Sequence, residues 1–134
     1  MIPYILPLIF PHFKQIRACK VYFLSIFSTI TVNNSGGIGI RDDLSFVNNG
    51  TITVNNTSGN GIYNVGTITN NSGSTITVKS GGYFVNSGII YNSGKIANKG
   101  GTFLNHGGSI NNLCGGRTSG KITNIHSGTI TKTC

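Results

Sequence analysis

Catalysis needs positioned acids, bases or nucleophiles, and this chain of 134 residues offers few of them. Its side-chain carboxylates are Asp42 and Asp43 alone. Neighbours on a strand project to opposite faces, so the two make a poor general acid and base. Next to Arg41 they read as a local ion pair or turn in a loop. A calcium site needs several oxygen ligands, more than two acids supply. His106 lies in LNHGG and His126 in NIHSG, both at variable positions where an exposed corner is expected. The cysteines are Cys19, Cys114 and Cys134, with no CxxC and no histidine close enough in sequence to suggest zinc. In an oxidising compartment Cys114 and Cys134 can close a disulfide over the last segment, leaving Cys19 over; two free thiols are the alternative. Residue chemistry thus predicts no catalytic, cofactor or metal site.

The composition asks for a different use of the chain. Glycine supplies 20 residues, and charged residues only 9%, against a usual quarter or so. The net charge is +8. Lys14, Arg17 and Lys20 fall near the N-terminus, and Arg41, Lys79, Lys95, Lys99, Arg117, Lys121 and Lys132 are scattered singly. They read first as solvated charges that keep an acid-poor chain soluble. The functional alternative is attraction to acidic polysaccharide, nucleic acid or anionic lipid. No basic cluster is interleaved with aromatics, so no specific nucleic-acid site is expected.

The elements that carry these residues are written in a short repeat. In VNSGIIYNSGKIANKG (85–100), Asn recurs at 86, 92 and 98, Gly at 88, 94 and 100, and Ile at 90 and 96. Across the chain the apolar anchors Ile52, Ile62, Ile68, Ile76, Phe84, Ile90, Ile96, Phe103, Ile110, Ile122 and Ile130 form a candidate interior stack. Weaker anchors precede them at Ile30, at Ile38 or Ile40, and at Phe46. Thr-Ile-Thr at 51–53, 67–69, 75–77 and 129–131, and again at 29–31, alternates out, in, out, which is the period of a strand. Asn64, Asn70, Asn86, Asn92, Asn98, Asn105 and Asn112 occupy the corners. There Asn tolerates left-handed backbone and Gly takes positive φ freely.

Glycine at this density opposes a helix, at about 1 kcal/mol each. Hairpins are the structural alternative, since NNG and NSG also make tight turns. Strands of three to five residues build a poor hairpin sheet, whereas in stacked coils each strand pairs above and below. The expected fold is therefore all-β, a single-stranded parallel β-helix (β-solenoid) of short strands, its handedness left open by the spacing. Three hexapeptides per coil give five to six coils and a rod of about 25–30 Å. Corner asparagines would stack into ladders.

Two segments follow from this. Residues 1–28 are apolar and basic, with Pro3, Pro7 and Pro11 breaking the first run. They read as a weak signal peptide cut after Ser28, or as a cap over the first coil. The first run is too short to span a bilayer, and no transmembrane helix is expected. Residues 29–134 form the solenoid.

The repeats NVGTI (64–68), NSGII (86–90), NSGKI (92–96) and GGSINN (107–112) resemble the Asn/Gly-rich β-solenoids of microbial surface proteins. Autotransporter and haemagglutinin-type passenger domains are among these. The resemblance covers about residues 46 to 131, and NNLCGGRTSGKITN (111–124) resembles the closing segment of such arrays. It implies display at the cell surface or secretion, and adhesive or matrix roles. It carries over no catalytic residue. The expected function is an exported structural or adhesive element without a catalytic site. Its partners would be surface carbohydrate or matrix, or its own copies end to end. Two alternatives stand beside it. Outward Thr pairs from the Thr-Ile-Thr triplets could match ice, although triplet intervals of 22, 16, 8 and 54 do not by themselves place them on one face. A carbohydrate-active β-helix enzyme is the second, disfavoured by the scarcity of acids; hexapeptide acyltransferases are disfavoured by the missing alternation of small residues. Sequons at Asn33, Asn49, Asn55, Asn56 and Asn70 would fit surface exposure.

Overall fold

The computed structural model describes residues 19–27, 29–33, 38–55 and 59–134. Residues 1–18, which hold most of the N-terminal segment, and Asn56 lie outside the described residues. The described residues form fifteen strands and no helix: β1 (Cys19–Ile26), β2 (Thr29–Val32), β3 (Ile38–Asn48), β4 (Thr51–Val54), β5 (Asn60–Asn64), β6 (Thr67–Asn70), β7 (Thr75–Lys79), β8 (Tyr83–Asn86), β9 (Ile89–Asn92), β10 (Lys95–Lys99), β11 (Thr102–His106), β12 (Ser109–Asn112), β13 (Arg117–Ser119), β14 (Thr123–Ile125) and β15 (Thr129–Lys132). All pairings between these strands are parallel.

The chain winds as a β-solenoid of about five turns with three strand segments per turn. A first face carries the front half of β3, then β5, β8, β11 and β14. A second carries the back half of β3, then β6, β9, β12 and β15. A third carries β2, β4, β7, β10 and β13. β3 belongs to two faces because it turns the corner without breaking: Ile38 to Asp42 pair with β5, and Ser45 to Asn48 pair with β6. β1 runs alongside both halves of β3, with a register shift between Val21 and Phe23 at the same corner. The stack therefore extends upstream of Thr29.

Register explains the irregular spacing of the anchors. Each coil takes one anchor per face, and each anchor lies over its counterpart one coil on: Ile40, Ile62, Phe84 and Phe103 on the first face, Phe46, Ile68, Ile90 and Ile110 on the second, and Ile30, Ile52, Ile76 and Ile96 on the third. Nearly all are completely buried and form one core with Val32, Val54 and Val78. Full burial of such side chains contributes about 1.5–3 kcal/mol each. Phe84 and Phe103 stack with centroids 4.4 Å apart. Ile122 is half-buried against this core. Ile130 aligns with Ile110 but is 37% exposed, because no further coil covers it among the described residues.

Glycine works differently from the sequence expectation. The positive-φ glycines are Gly73, Gly81, Gly100, Gly107, Gly115 and Gly120, and none of the ladder asparagines has positive φ. Gly88 and Gly94, the recurring glycines of Asn-Ser-Gly, keep ordinary angles. What they provide is room. A Cβ on Gly88 would overlap the Gly66 carbonyl of the preceding coil, and one on Gly94 the Ser74 carbonyl. Corners of neighbouring coils touch backbone to backbone, which only a residue without Cβ permits.

Candidate functional site

Most of the asparagines marked from the sequence face inward. Asn64, Asn70, Asn86, Asn92 and Asn105 are fully buried and Asn112 nearly so. They build two ladders. On the second face Nδ2 of Asn48 donates to Oδ1 of Asn70 (2.8 Å), Asn70 to Asn92 (2.8 Å) and Asn92 to Asn112 (2.7 Å). On the first face Asn64 donates to Asn86 (2.7 Å), Asn86 to Asn105 (2.8 Å) and Asn105 to Asn124 (2.9 Å). Each Nδ2 spends its other hydrogen on a backbone carbonyl of the next coil, as from Asn70 to Lys95 at 3.2 Å and from Asn105 to Thr129 at 2.9 Å. Buried amides require such satisfaction. Asn98 departs from the expectation of a ladder position. Its neighbour in the preceding coil is Val78, and its amide instead closes its own turn on Gly101 (2.9 and 3.0 Å) and reaches the Lys121 carbonyl (2.7 Å). Asn48 and Asn124 belong to the ladders but were not marked; the register needed to find them is not visible in a repeat of changing length.

Asp42 heads the first-face ladder. It lies beside Asn64 in register and is fully buried. Its Oδ1 accepts from the Leu44 amide at 3.3 Å, while its Oδ2 and the Asn64 Oδ1 have no hydrogen-bond partner. Burial pushes the carboxyl up to about 6, with a smaller rise from Asp43, against the Leu44 hydrogen bond. Asp43 projects to the other side of β3 and pairs with Arg41 at 2.8 Å. Arg41 also lies over the Tyr63 ring, 5.4 Å from its centroid. The ion pair expected from the sequence is present, but on a strand rather than in a loop.

His106 and His126 are exposed and lie against each other, centroids 4.3 Å apart. No group of three or more His, Cys, Asp or Glu able to hold a metal occurs among the described residues. Cys114 and Cys134 are joined by a disulfide, Cα atoms 5.0 Å apart, which ties the last strand to the preceding coil. No helix among the described residues is long and apolar enough to cross a membrane. Asn70, one of the sequons, spends its amide inside the ladder, where a glycan cannot be attached in the folded state.

The outward positions carry what surface chemistry there is. On the third face three identical TITV strands lie in register: Thr29, Thr51 and Thr75 form one column and Thr31, Thr53 and Thr77 the next. Coil lengths vary enough to bring these three together, while the triplets at 67–69 and 129–131 stand on the second face, separated by β9 and β12. Beyond Thr75 and Thr77 the columns continue as Lys95 and Ala97, then Arg117 and Ser119. A groove of about 290 Å³ opens at that edge, lined by Ser72, Thr75, Ser93, Lys95, Arg117 and the backbone of Gly73, Gly94 and Gly115.

Comparison with known proteins adds no assignment: no family model, no curated protein and no solved structure matches the chain.

Proposed function

We propose that this protein is an exported, non-catalytic solenoid that acts at the cell surface as a structural or adhesive element. The observation that carries the reading is where the polar chemistry goes. Asparagines that could serve a site are consumed in buried ladders. One carboxylate is buried and the other engaged by Arg41. What remains for contact is a set of outward faces that carry Thr, Ser and Asn among exposed lysines and arginines and a few apolar side chains such as Ile89 and Tyr91. Such faces suit many weak hydrogen bonds to carbohydrate or matrix. The Cys114–Cys134 disulfide accords with an oxidising compartment. The test is labelling of intact cells with a membrane-impermeant amine reagent. Modification of the protein before lysis is expected; modification only after lysis would overturn the reading.

A second reading, ice binding, is favoured by one specific observation, the three in-register Thr pairs of β2, β4 and β7. Inhibition of ice recrystallisation at micromolar protein, abolished by Thr53→Leu, would establish it. No inhibition by the wild-type protein removes it.

A further inference from the structure

The lysines and arginines that look scattered in the sequence are gathered by the winding of the chain. Lys95 of β10 lies directly beside Arg117 of β13, and Lys79 of β7 directly beside Lys99 of β10. Lys121 follows β13 by two residues and is held at the Asn98 turn by the Nδ2-to-carbonyl bond of 2.7 Å. All five are exposed. They form two columns at opposite ends of the same strands on the third face. The register neighbours Lys95 and Arg117, and Lys79 and Lys99, are about 4.8 Å apart, and four residues along the strand separate the columns by about 13 Å.

Like charges directly opposite on adjacent strands destabilise a sheet, and here the chain offers no remedy. Its two carboxylates stand on β3, one buried and one bound to Arg41. Arg41, away from this face, has an acid of its own; the columns of the third face have none. Between the columns lie Thr77, Ala97 and Ser119, of which Thr77 and Ala97 are buried and Ser119 is exposed, and beside Lys95 and Arg117 lie Thr75 and the serines of the groove. No aromatic projects outward from β7, β10 or β13 to stack a base.

We propose that this face is a binding site for an acidic polysaccharide, its carboxylates or sulfates lying along the Lys95–Arg117 and Lys79–Lys99–Lys121 columns and its hydroxyls meeting Ser119 between them and Thr75, Ser72 and Ser93 beside them. The proposal rests on the surface reading above and specifies its ligand. The polyanion supplies the counter-charge that the protein lacks, and ligand recognition follows from repeat geometry: cations spaced 20 to 22 residues apart in sequence are brought to one strand spacing in space.

The test uses the full chain and four probes: polygalacturonate for carboxylate, dextran sulfate for sulfate, neutral dextran, and oligothymidylate. The wild-type protein is expected to bind at least one acidic glycan and not neutral dextran. The stronger of the two acidic glycans identifies the anion. Lys95→Gln/Arg117→Gln and Lys99→Gln/Lys121→Gln are each expected to weaken that binding by about tenfold or more, while Lys132→Gln on β15 changes it by less than about twofold. Single Lys95→Gln and Arg117→Gln variants, each with a β-rich circular-dichroism spectrum, serve where a double variant fails to fold. On the wild type itself, salt toward 1 M, where screening acts within about 3 Å, is expected to release the glycan. Equal loss in Lys132→Gln would mean diffuse attraction and overturn the site. Tighter binding of oligothymidylate than of either acidic glycan would overturn the ligand class. No binding of acidic glycan would overturn the proposal, while the labelling of intact cells judges the surface reading separately.

Discussion

Asp42 shows how much one atom can change in a ladder. Asn64, Asn86 and Asn105 each present an amide nitrogen to the oxygen of the next coil, whereas Asp42, beside Asn64 in register, has no amide to give, and its Oδ2 and the Asn64 Oδ1 are both buried without a partner. As a carboxylate Asp42 has only acceptors to offer there, whereas a carboxyl that keeps its proton has the kind of donor that Asn64 Oδ1 lacks. Its folded value near 6 exceeds the ordinary 3.8, so the native state holds the proton more tightly than the unfolded chain. The resulting stability is complete below pH 3.8 and is lost as pH rises to about 6. The groups around it, Arg41, Asp43 and Tyr63, belong to the outer side of the same corner. We expect the melting temperature of the wild type, measured relative to Asp42→Asn, to fall between pH 4 and 7. At pH 7 Asp42→Asn should gain about 1 kcal/mol, the worth of a restored hydrogen bond. A parallel pair of pH curves would show that Asp42 does not titrate in this range. Asn70→Ala tests the ladder from its middle. It strands the Asn48 Nδ2 on one side and the Asn92 Oδ1 on the other, and should cost about 2–4 kcal/mol in urea unfolding.

At the scale of elements, strand and corner obey different constraints. The strands were legible because a three-residue alternation such as Thr-Ile-Thr marks its own inward position, and the stacked Ile and Phe side chains are the residues that alternation selects. The corners were less so. Asn-x-Gly reads naturally as a left-handed turn, yet Gly88 and Gly94 are needed for contact between coils, a distance no single repeat displays. Register was hidden for the same reason. Coil lengths of 19, 20 and 22 residues between ladder partners arise from corners of unequal length, and local propensity says little about these. Hence Asn98 looked like a ladder position, Asn48 did not, and the basic columns looked like isolated charges. Gly94→Ala distinguishes the two roles of glycine. If space is limiting, it costs more than about 2 kcal/mol although its φ would accept alanine. Gly73→Ala has no neighbour within 4 Å and a positive φ, so it should cost only about 1 kcal/mol of backbone strain. Thermal unfolding of both variants ranks them.

For the molecule as a whole, stability should be local and cumulative, because each coil touches chiefly the coil before and the coil after. The last coil is the weak point, with Ile130 partly exposed and β15 paired on one side only among the described strands. The Cys114–Cys134 disulfide closes a loop spanning 20 residues across that coil, a constraint worth about 3 kcal/mol. Reduction should therefore release β15 first. Hydrogen exchange is expected to accelerate at Thr129 to Lys132 on adding reductant while Phe84 and Ile90 stay protected. Uniform loss of protection would mean that the stack unfolds as one unit.

The inner ladders also give the rod a direction. Each Nδ2 is held by a carbonyl of the following coil, which fixes every amide in the same sense: nitrogen forward, oxygen back. Strand dipoles largely cancel around a sheet, but two columns of side-chain amides aligned head to tail do not. The ladders thus have a donor end, toward Asn112 and Asn124, and an acceptor end, toward Asp42 and Asn48, with β15 lying beyond Asn112 and β1 beyond Asp42 and Asn48. The core along the rod is therefore polar, and its two directions are chemically distinct although every strand pairing is alike.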